Sequence, residues 1–330
     1  MNAFRHVEAD RVIVFGHDAR EAGTELIGRD FTLLTTARAA HAAPEVTQRA
    51  RTVVEVASGL VEDVAGDLLA VVDGTRLVAL GGGRVIDVAK ALAAAGRADS
   101  VLAIPTTLSG AEMTRLHRHA RGVPADAARV RPGVVINDPG LSASLPVDQL
   151  VASSANALGH ALTAVTSTRS DPLSRSVGLE AVRHLAGAWR EPAPDRAEMA
   201  LGALLAGWAV DHSGLGLHHA LAQTVVRTAS LDHAGANVAL LPATAAACRR
   251  RAPAALAALD AAAGEPLEVL ARRLRDRAPS PAMPAVGVEA LLEQALDAAA
   301  ARPELDRMPP RPDRGELRSI LRDALTARPS

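Results

Sequence analysis

Short β-rich runs alternate with helical patterns through the first 146 residues, and this alternation restricts the fold more than any other feature. Five runs are predicted strands: Arg11–Phe15, Phe31–Thr36, Leu77–Leu80, Val101–Ile104 and Val134–Ile136. Helical patterns lie between them, at Pro44–Val56, Gly59–Val72 and Val85–Ala95. Alternating strands and helices form parallel βαβ units, whose central strands are covered on both faces and are apolar throughout, as LVAL and VLAI are. The pattern predicts an α/β domain with a Rossmann-like parallel sheet over residues 1–146.

The character of the chain changes after Leu145-Pro146. Long Ala/Leu-rich segments follow, broken by Pro or Gly, with few β-branched runs. Helices are predicted over Asp148–Val165, Pro172–Ala188, Ala197–Asp211, Gly216–Thr228, Asn237–Arg250, Glu265–Arg277, Val288–Ala301 and Asp313–Ala327. Prolines just before the last segment support its start, because proline is accepted at helix N-termini and excluded from interiors. We therefore predict an all-α domain over residues 147–330.

Charge and cysteine usage exclude several classes of protein. The formal net charge is −1, so the chain lacks the positive excess of a nucleic-acid-binding protein. Cys248 is the single cysteine, which rules out an internal disulfide and suits a reducing compartment. The uninterrupted apolar runs are too short to span a bilayer. We expect a cytoplasmic enzyme with neither a nucleic-acid nor a membrane partner.

A triple glycine follows the apolar run Leu77–Leu80. Gly81-Gly82-Gly83 leads into a helical pattern that contains Asp87 and Lys90, the only lysine of the chain. Glycines between a strand and a helix let the backbone approach a pyrophosphate, and the helix N-terminus supplies free N–H groups. Glycines serve close packing in the same position, and the spacing is not that of the usual GxGxxG fingerprint. The turn is a candidate nucleotide site.

Two motifs together resemble the iron-containing alcohol dehydrogenase superfamily, most closely its maleylacetate reductase branch. They are GGG-x-x-x-D-x-A-K, which begins at Gly81, and AIPTT-x-x-G-x-EMT, which ends at Thr114. The resemblance implies a dehydroquinate synthase-like fold, an oxidoreductase activity and an NADH or NADPH cofactor. It implies cofactor contacts from Gly81, Gly82, Gly83, Arg84, Asp87, Lys90, Thr106, Thr107 and Ser109. Relatives that select NAD tend to carry an aspartate near Arg38, and its absence here leads us to expect that NADPH is accepted.

Histidines and one asparagine form a second motif in the helical half. Asn156 and His160 are four residues apart, which places both on one helix face. His219 precedes His233 by fourteen residues. The superfamily holds a divalent metal with an Asp and a His four apart, followed by two His with this separation. The resemblance therefore aligns Asn156 with the aspartate, and predicts His160, His219 and His233 as catalytic residues. His218 would face another side of its helix and is expected to be structural.

Asn156 bears directly on the metal question. An amide in place of a carboxylate removes the only anionic ligand, so oxygen-preferring divalent ions would be held weakly, although three imidazoles still bind zinc. We favour a site without metal. If zinc or iron binds, its ligands are expected to be Asn156, His160, His219 and His233. Without metal, the imidazoles would stabilise the oxyanion that forms when hydride adds to an enone.

Several positions depart from the superfamily pattern. Gln223 replaces a later histidine and Arg227 stands in place of a glycine; with Asn156 they are predicted to line the substrate pocket. The basic segment Arg115–Arg131 is a clamp for an anionic substrate, a phosphate contact or a solvated connecting loop.

The leading functional hypothesis is an NAD(P)H-dependent reductase of a small, anionic enone, keto acid or aldehyde, in aromatic catabolism or biosynthesis. A homodimer is the default expectation for its assembly. Two alternatives stay open: a metal-dependent alcohol dehydrogenase, and a non-redox lyase, cyclase or ligand-binding pseudoenzyme.

Overall fold

The chain divides into two compact units. The computed structural model describes residues 3–9, 11–143, 145–191, 193–228, 233–278 and 288–326. Unit 1 comprises Met1–Leu145 and Arg196–Leu204, and unit 2 comprises Pro146–Asp195 and Leu205–Ser330. Unit 1 combines strands with helices, whereas the described secondary structure of unit 2 is helical. An α/β region followed by a helical region agrees with the predicted fold class.

Unit 1 is built on a seven-stranded sheet. Its strands are β1 (Phe4–Glu8), β2 (Arg11–Phe15), β3 (Thr32–Thr35), β4 (Thr52–Glu55), β5 (Arg76–Gly81), β6 (Ser100–Pro105) and β7 (Val134–Asn137). Their spatial order is β1-β2-β7-β6-β5-β3-β4, and every pair is parallel except β1 with β2. The five predicted strands are therefore confirmed, and β5 and β6 lie near the middle of the sheet.

Helices cover both faces of this sheet. They are α1 (Ala19–Ala22), α2 (Thr24–Ile27), α3 (Ala37–Ala42), α4 (Pro44–Thr47), α5 (Val61–Leu68) and α6 (Gly83–Ala94). Side chains alternate along a strand, so Leu77 and Ala79 pack into the core with α5 and α6. Val78 and Leu80 point the other way, into the core that includes residues of α1 to α4. Burial on both faces explains the unbroken apolar run of β5.

Two segments near the edges of the sheet differ from the prediction. The helix predicted over Pro44–Val56 ends at Thr47, and β4 follows it at Thr52–Glu55. β4 pairs only with β3 and is largely exposed, so its sequence lacks the apolar run of a central strand. Its β-branched residues favour the extended backbone. The exposed edge strand β1 escaped prediction for the same reason.

Unit 2 is helical in its described part. Its helices are α7 (Val147–Thr166), α8 (Pro172–Ala188), α10 (Leu217–Thr228), α11 (His233–Arg251), α12 (Pro253–Ala263), α13 (Leu267–Arg277), α14 (Val288–Ala300) and α15 (Arg314–Thr326). α9 (Arg196–Ser213) contributes its residues up to Leu204 to unit 1. The eight predicted helices are present, and α12 was not predicted. None of the described helices combines the length and apolar composition needed to cross a bilayer.

Helix α7 forms the centre of unit 2. Almost all of its residues are buried, because α8, α10, α11, α12 and α13 pack around it. Its Ala, Leu, Val and Gly side chains match that environment, since a helix that is apolar on every side must be enclosed. Asn156 and His160 are therefore held on a rigid and enclosed helix.

Candidate active site

The glycine turn links the middle of the sheet to α6. Gly81 ends β5, Gly82 has extended backbone as the N-cap of α6, and Gly83 begins the helix. A Cβ added to Gly82 would lie 3.0 Å from the Thr107 Cγ2 atom, and one added to Gly83 would lie 2.9 Å from the Ser109 Oγ atom. The loop after β6 thus packs directly on the turn. Glycine is required here because any side chain would displace that loop.

Two threonine hydroxyls in this loop point to a polar ligand. The Oγ1 atoms of Thr106 and Thr107 are buried and have no hydrogen-bond partner among the described residues. The Thr106 N–H donates to the Gly81 carbonyl at 2.9 Å, which fixes the loop beside the turn. No side chain caps the N-terminus of α6. A buried hydroxyl without a partner costs about 1–3 kcal/mol, and phosphate oxygens would accept from these donors. The residues therefore fit the phosphates of a nicotinamide dinucleotide.

Lys90, predicted as a cofactor contact, is enclosed by the protein. Its side chain is 0% exposed, so the ammonium does not present a surface to a ligand. It pairs with the Asp87 Oδ1 atom at 2.7 Å and donates to the carbonyls of Ala111, Thr114 and Leu116 at 2.9, 3.1 and 3.2 Å. A direct contact between Lys90 and the cofactor stays a prediction. The loop after β6 that carries Thr106 and Thr107 is called the threonine loop. Lys90 joins α6 to the segment that follows this loop. Asp87 is the partly exposed member of the ion pair.

Buried charges support the same segment from behind. Arg11 is 1% exposed and donates from Nη2 to the Glu112 carbonyl at 3.0 Å. The Glu112 side chain is fully enclosed, and burial raises the pKa of its carboxyl to about 7, although Lys90 and Arg11 lie near enough to oppose the shift. The polar residues of the EMT motif thus face inwards. They fix the loop that presents Thr106 and Thr107.

Three of the predicted site residues in unit 2 come together. The rings of His160 on α7 and His219 on α10 stack with their centroids 4.3 Å apart and an interplanar angle of 11°. The His219 Nε2 atom lies 3.2 Å from the Asn156 Oδ1 atom. All three side chains are buried. The structure therefore assembles Asn156, His160 and His219 into one cluster, which we call the imidazole cluster.

Burial keeps these imidazoles neutral. It lowers the pKa of His160 to about 3 and that of His219 well below its ordinary value, and neighbouring histidines add to both shifts. With Nε2–H of neutral His219 directed at Asn156, its Nδ1 atom carries a lone pair. The Nδ1 atoms of both rings are buried without a hydrogen-bond partner in the described part of the chain. The resting imidazoles of His160 and His219 are therefore neutral.

The other predicted residues of this region lie around the cluster. His233 is the exposed first residue of α11, close enough for its charge to lower the pKa of His160 and His219. Gln223 is half-buried, one helical turn after His219, and its Oε1 atom accepts from Arg302 at 2.7 Å. Arg227 is exposed at the end of α10. Arg302 was not predicted, because nothing in the sequence links it to a residue on α10.

The cluster does not fit a divalent metal in this arrangement. Imidazole lone pairs lie in the ring planes, so two nearly parallel stacked rings cannot both direct a nitrogen at one ion about 2 Å away. Asn156 offers an amide oxygen in place of an anionic ligand. Among the described residues, no three His, Cys, Asp or Glu side chains are placed to hold a metal ion. We derive no chemical step through a metal.

His218 supports the cluster from the side. It is 1% exposed, its Nε2 atom lies 3.1 Å from the Asn237 Oδ1 atom, and its Nδ1 atom lies 3.0 Å from the Thr244 Oγ1 atom. Burial lowers its pKa to about 4, so the ring is neutral and its Nε2–H donates to Asn237. Its edge meets the His219 ring at 84°. His218 thereby ties α10 to α11 and fixes the position of its neighbour.

Gly159 makes room for His218, which leads to a stability prediction. A Cβ at position 159 would lie 2.2 Å from the His218 Cδ2 atom. We expect Gly159→Ala to lower the free energy of unfolding by about 1–3 kcal/mol, because α7 and the His218 ring are both enclosed. Gly187→Ala on α8 is the matched control: its Cβ would meet nothing within 4 Å. The free energy of unfolding of the Gly187→Ala variant should rise by about 0.5–1 kcal/mol. Denaturant unfolding of both variants tests this, and equal stability would contradict it.

The basic segment Arg115–Arg131 is anchored to the protein. The Arg121 guanidinium pairs with Asp63 and Asp67 of α5 at 3.2 and 2.6 Å. His117 is buried, and its Nε2 atom accepts from the Val130 N–H at 3.0 Å. These contacts attach the segment to α5 and hold His117 against Val130 within the segment. A role of this segment in binding an anion stays a prediction.

Comparisons with known proteins agree with the motifs. Residues 150–297 match the Fe-containing alcohol dehydrogenase family, C-terminal. Maleylacetate reductase 1 of Rhodococcus opacus is 35% identical over 191 residues, 55% of this chain and 53% of that protein, so this alignment spans about half of the relative. Maleylacetate reductase of Pseudomonas aeruginosa is 31% identical over 284 residues, 82% of this chain and 79% of the relative. Similarity thus extends over both units.

A solved structure confirms the fold class. The crystal structure of maleylacetate reductase from Agrobacterium tumefaciens superimposes with a TM-score of 0.79 at 28% sequence identity. The alignment covers 98% of this chain and 99% of the other. The α/β region and the helical region therefore occur together in a reductase of known structure.

Proposed function

Because the chain belongs to the iron-containing alcohol dehydrogenase superfamily, in its maleylacetate reductase branch, and is an NAD(P)-dependent oxidoreductase, we propose that it reduces the double bond of a small, carboxylate-bearing enone. Two of its relatives are named for maleylacetate, a dicarboxylate that carries an enone. We propose maleylacetate, or a close analogue, as the substrate. The imidazole cluster is the observation that carries this proposal.

The proposed reaction is balanced by one hydride and one proton. The reduced nicotinamide, when bound, supplies hydride. The alkene carbon β to the ketone accepts it, the π electrons move onto the ketone oxygen as an enolate, and a proton then adds to the α carbon. The product is the saturated keto dicarboxylate. The residues of this chain have to hold the substrate, stabilise the enolate oxygen and deliver the proton.

The imidazole cluster suits the second and third tasks. A neutral imidazole donates one N–H, and His160 is free to adopt either tautomer because its Nδ1 atom has no partner among the described residues. We propose that His160 donates to the enolate oxygen. His219, oriented by Asn156, keeps a bare Nδ1 atom that can accept a proton from the solvent and pass it to the α carbon. His233 is proposed to contact the substrate from the start of α11. No metal has a part in this scheme.

The nicotinamide cofactor is proposed to bind at the glycine turn. Gly81, Gly82, Gly83, Arg84, Asp87, Thr106, Thr107 and Ser109 are the proposed contacts. Arg38 is exposed, just beyond the end of β3, where it would tolerate the 2′-phosphate of NADPH. We therefore propose that both NADH and NADPH are accepted. In this scheme residues 1–146 form the dinucleotide-binding domain and residues 147–330 the substrate domain.

Assembly and location are proposed on general grounds. A homodimer is the commonest closed assembly of enzymes. Cys248 is a buried free thiol, and the chain has no second cysteine to pair with it. A reducing cytoplasm suits such a chain.

Nucleotide binding and turnover test the proposed function directly. The purified protein is titrated with NADH and with NADPH, and oxidation of each is then followed with maleylacetate, neutral enones and simple aldehydes, before and after chelation. We expect both nucleotides to bind, maleylacetate to be reduced fastest, and chelation to leave the rate unchanged. Zinc or iron whose removal abolishes turnover would favour a metal-dependent alcohol dehydrogenase. Binding without turnover would favour a non-redox descendant.

A further inference from the structure

The Gln223 side chain accepts a hydrogen bond from Arg302, which also forms an ion pair with Glu304. The Arg302 Nη2 atom lies 2.7 Å from the Gln223 Oε1 atom and 2.8 Å from the Glu304 Oε1 atom, and the Arg302 Nε atom lies 3.1 Å from the Glu304 Oε2 atom. The Arg302 and Glu304 side chains are only 21% and 17% exposed. The Arg302 backbone is fixed in turn, because its carbonyl accepts from Arg311. This triad joins α10 to the segment after α14.

The triad determines which way the Gln223 amide faces. A guanidinium has donors and no acceptor, so the amide oxygen must be the atom that faces Arg302. The amide nitrogen is therefore turned to the opposite side, where it has no hydrogen-bond partner among the described residues. Glu304 keeps Arg302 in place and balances its charge. The two N–H groups of Gln223 are therefore fixed as donors. A freely rotating amide could turn either its oxygen or its nitrogen to the same position.

Gln223 shares a helix face with His219, a member of the imidazole cluster. Gln223 follows His219 by four residues on α10, and residues four apart share a helix face about 5–6 Å from each other. An amide nitrogen donates hydrogen bonds and does not exchange protons near neutral pH, so the Gln223 nitrogen is a permanent donor at this position.

We propose that Gln223, oriented by Arg302, binds a carboxylate oxygen of the substrate and thereby selects carboxylate-bearing enones over neutral ones. The inference rests on the proposed function, whose active site it extends. Gln223 is the residue that contacts the substrate. Arg302 is a positioning residue, since it acts through the amide and faces Glu304 on its other side. A carboxylate is the preferred acceptor because hydrogen bonds to a charged group are stronger than those to a neutral carbonyl.

Binding measurements with charged and neutral ligands test this inference. Calorimetry gives the Kd of the saturated keto dicarboxylate product and of its dimethyl ester for the wild type and for Gln223→Glu, which keeps the shape but replaces donors by acceptors. We expect the Kd of the dicarboxylate to rise about 10- to 100-fold and that of the ester to change about twofold or less. Equal weakening of both ligands, or an unchanged dicarboxylate Kd, would overturn the proposal.

Two further variants separate positioning from structure. Arg302→Lys retains a donor-only cation and should keep dicarboxylate binding close to wild type, whereas Arg302→Met frees the amide and should weaken it several-fold. Arg273→Met is the matched control, because Arg273 forms a comparable two-bond pair with Glu265 elsewhere in unit 2. Equal effects of the two Arg302 variants would contradict the positioning role. Oxidation of NADH and NADPH is recorded in parallel and reports on the proposed function alone. The role of Gln223 in substrate binding and the proposed reductase activity can therefore fail independently.

Discussion

Replacing Lys90 with methionine is expected to lower the free energy of unfolding of unit 1 by about 3–5 kcal/mol, the usual result of removing one partner from a buried ion pair. Methionine fills much of the same volume but leaves the carbonyls of Ala111, Thr114 and Leu116 without their donor. It also leaves Asp87 without its ammonium partner. Each carbonyl that stays buried and unpaired adds to the loss.

The measurement has to report on unit 1 alone. Both tryptophans, Trp189 and Trp208, belong to unit 2, so their fluorescence does not follow the sheet. Hydrogen exchange of peptides over residues 77–116 gives the required signal. Lys90→Arg should also be destabilising, because a guanidinium is larger than the ammonium it would replace in a fully enclosed site. Arg97→Met, which changes an exposed cation of the same unit, should stay within about 0.5 kcal/mol of wild type.

Lys90 explains an oddity of composition. Every other basic residue that carries a permanent charge in this chain is arginine. The enclosed site at position 90 requires a compact cation with three donors, and only lysine provides one. A Lys90→Met protein as stable as the wild type would show that the carbonyl contacts contribute little. The retention of a single lysine would then need another explanation.

Patterns along the chain predicted the parts of the fold that are enclosed. The unbroken apolar run of β5 and the Ala/Leu-rich sequence of α7 each reflect burial on all sides, so periodicity and composition were sufficient. The edge strands β1 and β4 are partly solvated, and their sequences carry no apolar signature. Helix α12 was missed even though its alanines and the proline at its start favour a helix. Enclosure on all sides is therefore what made β5 and α7 predictable from the sequence.

The candidate sites show a similar division. Spacing predicted that Asn156 and His160 share a face, and resemblance brought in His219; the structure places the three together. The contacts of Lys90 with the segment after the threonine loop could not be predicted, since they depend on how far that loop folds back over α6. The contact between Gln223 and Arg302 joins residues 79 positions apart in the chain. Local patterns carry no information about such pairs.

Replacing His160 or His219 with alanine is expected to lower kcat about 100- to 10,000-fold, the range found when a positioned acid or base is removed. His160 is the proposed donor to the enolate oxygen, and His219 the proposed proton carrier. The Kd for NADH and NADPH should stay within about twofold of wild type, because neither histidine is among the proposed nucleotide contacts. Stopped-flow reduction of maleylacetate, with nucleotide binding measured separately, gives both quantities.

The kcat values of double variants with Asn156→Ala should also distinguish His160 from His219. A purely structural role would not produce this difference. Nε2 of His219 is committed to Asn156, so Asn156→Ala should impair His219 by releasing its ring, and adding Asn156→Ala to His219→Ala should cause little further loss. His160→Ala should instead add a further loss to that of Asn156→Ala, because the two side chains share no hydrogen bond in the described structure, although both contact His219. His212→Gln is the matched control, since His212 is an exposed histidine of unit 2 that stacks on Trp208. A kcat within threefold of wild type for either alanine variant, or parallel loss of nucleotide binding, would remove the imidazole cluster from the mechanism.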